Sequence, residues 1–114
     1  MHELSMVMNL ANTAERTAEQ NDMKKVELIH VGVGEMSGAV DEYIDKYFNQ
    51  IKDKYSYINN ATLVLSKDFA KGKCKNCGEE FLLTENEGVC PKCGERDFTI
   101  TIGKSITVHK IEGE

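Results

Sequence analysis

Leu4, Val7, Met8, Ala11, Ala14 and Ala18 recur at three- and four-residue steps, with Glu15, Arg16, Glu19 and Gln20 between and beyond them. That period predicts an amphipathic helix over residues 4–20, stopped by Asn21-Asp22. Past Lys24 the period drops to two. Ile29, Val31 and Val33 point one way and Val26, Leu28 and His30 the other, which predicts a strand over residues 24–33 covered to some degree on both faces. Helical spacing returns from Asp41 to about Tyr55, where Tyr43, Ile44, Tyr47, Phe48, Ile51 and Tyr55 share a side. Asp41 and Glu42 suit the positive end of that helix dipole, and the tyrosine spacing fits ordinary packing better than a stacking surface.

The second half is punctuated more closely. Ala61 to Ser66 predicts a short strand, and Lys67 to Lys73, with Gly72, a hinge. Phe81, Leu82, Leu83 and Val89 are enough for a small hairpin between two cysteine pairs. Phe98, Ile100 and Ile102 alternate as a strand, Gly103-Lys104 breaks it, and Ile106, Val108 and Lys110 alternate as another. This order predicts an α+β fold: a three-stranded sheet with two helices, plus an inserted zinc-ribbon-like lobe. The last strand is expected to return and pair with the earlier two. Residues 1–69 and 103–114 form one domain in this reading, and residues 70–102 the other.

Two cysteine pairs carry the strongest chemical signal. Cys74-Lys75-Asn76-Cys77 and Cys90-Pro91-Lys92-Cys93 share one spacing and are twelve residues apart. Two residues between thiolates let the chain turn so that both sulfurs face one point, and two such turns complete a tetrahedral shell. Gly78 and Gly94 follow each pair, where a tight knuckle needs positive φ. Pro91 stiffens the second turn. Four thiolates suit a structural Zn(II) with no open position. Rubredoxin-type iron is the chemical rival, but the chain has no Trp and the loop between the pairs is short for that fold. A single reactive thioredoxin-like pair does not explain two symmetric ones.

Charge narrows the partners. Fourteen Lys and Arg against nineteen Asp and Glu leave a net charge of −5, and the signs are mixed around the cysteines. That balance opposes phosphate-backbone binding, so no nucleic-acid partner is expected. No stretch approaches the ~20 apolar residues of a membrane span, so no membrane partner is expected either. Met1-His2-Glu3-Leu4 lacks the basic start of a secretory leader, and unpaired cysteines suit a reducing compartment; both predict a cytoplasmic protein. Gly32-Val33-Gly34-Glu35-Met36-Ser37-Gly38 invites a nucleotide-binding reading, but it matches neither the dinucleotide fingerprint nor a P-loop and predicts a structural turn.

The amino terminus is the second chemical feature. A histidine at position two can chelate through its imidazole, its own backbone nitrogen and the terminal amine. Nickel(II) and copper(II) accept the resulting planar nitrogen set, whereas zinc gains nothing from it. Amide deprotonation makes such binding pH-dependent.

Met1-His2-Glu3-Leu4-Ser5 opening a helix, Gly34-Glu35-Met36-Ser37-Gly38 after the first strand, and Cys74, Cys77, Cys90 and Cys93 together resemble the HypA/HybF family of hydrogenase nickel-insertion chaperones. The similarity spans essentially the whole chain. It implies a nickel metallochaperone, not an enzyme, that receives Ni(II) as transient cargo at His2, with Glu3 adjoining, and holds structural Zn(II) at the four cysteines. Residues 1–69 and 103–114 become the nickel-binding part. The implied partners are a hydrogenase-maturation GTPase, the [NiFe]-hydrogenase large-subunit precursor and, for relatives serving urease, urease accessory proteins.

Asp41 is a candidate oxygen ligand, weighed against a plain helix-terminal charge. His30 reads as a packed, hydrogen-bonded strand residue and His109 as an exposed one; neither has metal-ligand spacing to another group. The alternative function is a zinc-ribbon module binding protein or nucleic acid, indifferent to His2. An iron-based electron carrier is a third reading, and no nucleophile–base pair supports a hydrolase or transferase.

Overall fold

A computed structural model describes residues 3–114. Helix α1 spans Glu3–Gln20, strand β1 Val26–Gly34 and helix α2 Asp41–Ile51, extended by one 3-10 turn, Lys52–Lys54. Strands β2 (Thr62–Asp68), β3 (Lys71–Cys74), β4 (Glu80–Leu82), β5 (Phe98–Ile102) and β6 (Ile106–Gly113) follow. They make two three-stranded sheets, ordered β2-β1-β6 and β4-β3-β5. The molecule is elongated, 50 × 28 × 17 Å.

In the first sheet β1 is central. It pairs parallel with β2, so α2 is the crossover of a βαβ unit, and antiparallel with β6. The last strand therefore pairs with β1 alone and not with β2. Both helices turn their apolar stripes to one core. Val7, Leu10, Ala11, Ala14 and Ala18 of α1 and Ile44 and Phe48 of α2 pack with Val26, Ile29, Val31, Val33 and Leu63. Three alanines in the α1 stripe keep that helix close to the sheet. Burial of each large side chain, such as fully enclosed Phe48 and Ile44, contributes about 1.5–3 kcal/mol.

The helices lie side by side with their N-termini at the same end. At that end the Glu3 carboxylate accepts a hydrogen bond from the Val40 amide, 3.2 Å. At the other, the Glu15 carboxylate accepts from the Ser56 and Tyr57 amides, and the Tyr55 hydroxyl donates to Asn12.

Two β-bulges change which side chains face the core. Between Val26/Leu28 and their partners Gly113/Glu112, β1 carries one extra residue. Val26 is thereby fully buried in the same core as Ile29, not on the Leu28–His30 side that simple alternation assigns. The second bulge puts the extra residue, His109, on β6, because His30 pairs with Lys110 while Val31 pairs with Val108.

The second sheet lies between β2 and β6 in the chain, and two expectations about it need correcting. The hinge expected over Lys67–Lys73 shrinks to Phe69-Ala70, because β2 runs on to Asp68 and Lys71–Cys74 is the central strand of the new sheet. The hairpin expected between the cysteine pairs instead joins β3 to β4 across the first pair, with Lys73 opposite Glu80. The apolar residues in between do pack: Phe81 and Leu83 are buried with Ala70, Cys74 and Cys90, and Phe98 stacks edge-on against Phe81 at 5.9 Å. So small a core is the kind that needs a metal or disulfides to hold its shape.

Candidate metal centre

Each cysteine pair is built as the same knuckle. Gly78 donates its amide to the Cys74 carbonyl (3.0 Å) and Gly94 to that of Cys90 (2.9 Å), while Cys74 and Cys90 donate to the Glu79 and Glu95 carbonyls, both at 2.9 Å. Gly78 and Gly94 have φ of +80° and +78°, and a Cβ at either would meet open space. Backbone conformation, not crowding, therefore selects glycine there.

The knuckles bring four sulfurs to one point, all within 4.8 Å of one another. Cys74 and Cys93 are 3.5 Å apart and Cys77 and Cys90 3.6 Å. Sulfurs about 2.3 Å from a central ion at tetrahedral corners lie about 3.8 Å apart, so the donor set fits an ion of zinc's size and preference. Cys74 and Cys90 are buried, and Cys77 and Cys93 sit toward solvent. The Asn76 side chain and the Glu95 amide favour thiolate at Cys93 and draw its pKa down to about 6. At Cys77 the Glu79 amide acts the same way but is outweighed by burial and three neighbouring sulfurs, which push it up to about 12. One thiolate forms readily and the next resists, as expected where several negative sulfurs share a site without a cation.

His2 lies outside the described residues. Glu3 opens α1 and is 95% shielded from solvent, with a relative exposure of 5%; its carboxylate takes the Val40 amide. Val40 caps α2 without a side-chain hydrogen bond of its own, so Glu3 serves the start of a helix 37 residues away. Asp41 follows directly in the first turn of α2. It borders a 230 Å³ recess shared with Glu35, Ser66 and Lys67.

Of the turn expected over Gly32–Gly38, Gly32, Val33 and Gly34 are instead the end of β1, and the turn begins at Glu35. The Ser37 hydroxyl donates to the Gly34 carbonyl at 2.7 Å and accepts from the Ala39 amide, and Gly38 has φ of +73°. Glu35 has a role that the sequence pattern does not reveal. One carboxylate oxygen accepts from the Ala70 amide (2.8 Å) and the other from the Thr84 hydroxyl (2.9 Å), tying the first sheet to the cysteine lobe. These bonds, the Ala70 one foremost, lower its pKa.

The two strand histidines differ in exposure. His30 is partly buried and bonds Glu112 across the β1–β6 pair. His109 is exposed as expected, and its ring bonds Asp68. Asp68 and Thr84 carry no local signal that would have singled them out.

Fold and site together define a small two-lobed metal-binding protein, a helix-backed sheet carrying a four-cysteine ribbon. The family model for HypA, "hydrogenase/urease nickel incorporation, metallochaperone", matches residues 1–113. The chain belongs to this HypA family. It is 35% identical to the hydrogenase maturation factor HypA of Francisella philomiragia, over 97% of each chain. To that of Aquifex aeolicus it is 31% identical, over all of this chain and 98% of the relative. The solution structure of the Ni metallochaperone HypA from Helicobacter pylori superposes with a TM-score of 0.85 at 28% identity, covering 98% of this chain and 97% of the other.

Proposed function

We propose that this chain binds Ni(II) at Met1-His2-Glu3 and delivers it to the [NiFe]-hydrogenase large-subunit precursor, working with a hydrogenase-maturation GTPase. In this reading residues 1–69 and 103–114 are the nickel-binding part, and residues 70–102 hold a structural Zn(II) at Cys74, Cys77, Cys90 and Cys93. Urease accessory proteins are further partners in the same role. The role is delivery, and no catalytic residues are assigned.

The observation that carries this reading is the match to the nickel-incorporation family from residue 1 to residue 113, which takes in the Met-His-Glu start as well as the cysteines. A second observation supports it. Glu3, which the family's Met-His-Glu start includes, opens α1 and its carboxylate takes the Val40 amide at the start of α2, so the first described residue is fixed to the fold. A terminal site also exchanges ligands stepwise, which suits cargo that must be handed on. Four sulfurs around one point suit an ion that stays.

The test is a nickel titration of zinc-loaded protein with its native, untagged N-terminus, beside His2→Ala. Near-stoichiometric binding lost in the variant is the expected result. Equal binding in both would return weight to a zinc-ribbon module without nickel function.

A further inference from the structure

Phe69 is the most exposed large apolar side chain among the described residues, at 60%. It stands in the two-residue link between β2 and β3. There it walls a 360 Å³ cleft together with Ala70, Leu82, Thr84, Glu85 and, from the turn after β1, Glu35. Leu82 and Ile102 flank Lys71 on either side of the ladder, so both point to the sheet face opposite the buried Gly72, Cys74 and Phe81. Ile102 is itself 43% exposed. Apolar surface left open beside a polar rim is the mark of an interaction site.

The polar groups of the cleft identify what fits it. One Glu35 oxygen takes the Ala70 amide and the other the Thr84 hydroxyl, so few directional groups remain to orient a small polar ligand. Glu85 is exposed. Among the described residues no salt bridge joins Glu35 or Glu85 to a cation; Lys67 acts on Glu35 only through space. The rim therefore carries two carboxylates over a floor of Phe69, Ala70 and Leu82. Such a surface complements an apolar side chain with Lys or Arg beside it. The net charge of −5 attracts a basic partner from further away. A second copy matches poorly, because a symmetric pairing would set acidic rim against acidic rim.

We infer that this inter-lobe cleft is a docking site for a partner protein, taking an apolar side chain flanked by Lys or Arg. The occupant touches Glu35 on one lobe and Leu82 and Glu85 on the other, so its binding holds the two lobes in one relative orientation. The inference does not depend on nickel binding at His2.

The test titrates full-length, zinc-loaded, ¹⁵N-labelled protein with two peptides that differ only in charge, acetyl-Lys-Leu-Phe-Lys-amide and acetyl-Glu-Leu-Phe-Glu-amide, at low salt and up to millimolar concentration. The cationic peptide should give saturable shifts at the amides of Ala70, Leu82, Thr84 and Glu85. The acidic one should bind at least about fivefold more weakly, the scale of exposed ion pairs. Phe69→Ser and Glu85→Lys should each weaken the cationic peptide at least about threefold and leave the rest of the spectrum in place, since both side chains are exposed. Tyr43→Ser, at an exposed aromatic on α2, should leave binding unchanged. No saturable shift at these amides, equal affinity for both peptides, or undiminished binding in Phe69→Ser and Glu85→Lys would overturn the site. Shifts at the same amides that grow with protein concentration alone would assign the cleft to a second copy of the chain and overturn the partner.

Discussion

Glu35 and Thr84, 49 residues apart in sequence, are joined by a 2.9 Å hydrogen bond from the Thr84 hydroxyl to the Glu35 carboxylate. The other Glu35 oxygen holds the Ala70 amide in the two-residue link between sheets. Backbone bonds reinforce the junction, with the Glu35 amide on the Asp68 carbonyl and the Met36 amide on that of Gly103, both 2.9 Å. One carboxylate thus sets how the cysteine lobe sits on the first sheet.

Glu35→Ala should therefore leave both sheets folded and let the lobes reorient more freely. Residual dipolar couplings, fitted separately for residues of each sheet, should diverge in the variant and agree in the parent. A single common alignment in Glu35→Ala would show that the backbone contacts suffice.

The same junction should loosen in acid. Glu35 titrates below its ordinary value of 4.5, chiefly because the Ala70 amide bonds its charged form. A lowered carboxylate contributes stability that is fully present above its unfolded pKa and is lost as pH falls through the folded one. Between pH 5 and 3 the parent should lose inter-lobe order, followed by amide exchange at Ala70, and Glu35→Gln should show a flatter profile.

Gly32 and Gly34 should differ in what rescues them. Gly32→Ala drives a methyl into the Asp68 and His109 side chains and should cost about 1–3 kcal/mol, typical of overpacking. His109→Ala in the same chain should restore part of that, because the obstructing atoms are side-chain ends. Gly34→Ala meets the Gly103 carbonyl at 2.5 Å, and no side-chain truncation should relieve it. Urea unfolding of the four proteins measures both outcomes.

Removal of the metal proposed at the cysteines should unfold one lobe before the other. Structural zinc contributes on the order of 10 kcal/mol in zinc-finger peptides, whereas the apolar core here is little more than Phe81, Leu83, Ala70 and Phe98. Chelation or Cys74→Ala should collapse the amide dispersion of residues 71–102 while the Val26–Gly34 strand keeps its shifts. His2-dependent nickel binding should survive. Simultaneous loss of both sheets would sink the separation.

Glu3→Ala should expose the start of α2. Loss of an N-terminal capping contact costs about 0.5–2 kcal/mol, and hydrogen exchange at Val40 should rise well before that at Phe48. Unchanged protection at Val40 would mean that its amide finds another acceptor.

What the amino-acid pattern determined was whatever depends on neighbours in sequence. The three-to-four-residue spacing of Val7, Ala11, Ala14 and Ala18 specifies α1, because helix faces repeat every 3.6 residues. The doubled Cys-x-x-Cys-Gly unit specifies both knuckles, since each closes its own hydrogen bonds within six residues. Their convergence on one point suits an ion that takes four thiolates at tetrahedral corners. The tertiary structure decided whatever depends on strand register. Val26 and Ile29 share a core only because a bulge at Glu27 shifts their phase, and His109 leaves alternation for the same reason. Lys71–Cys74 is a strand only because Glu80–Leu82 and Phe98–Ile102 flank it. The Glu35–Thr84, Glu3–Val40 and His109–Asp68 contacts join residues 37 to 49 positions apart. No local period encodes such pairs, because they form only once packed sheets bring distant segments within hydrogen-bond reach.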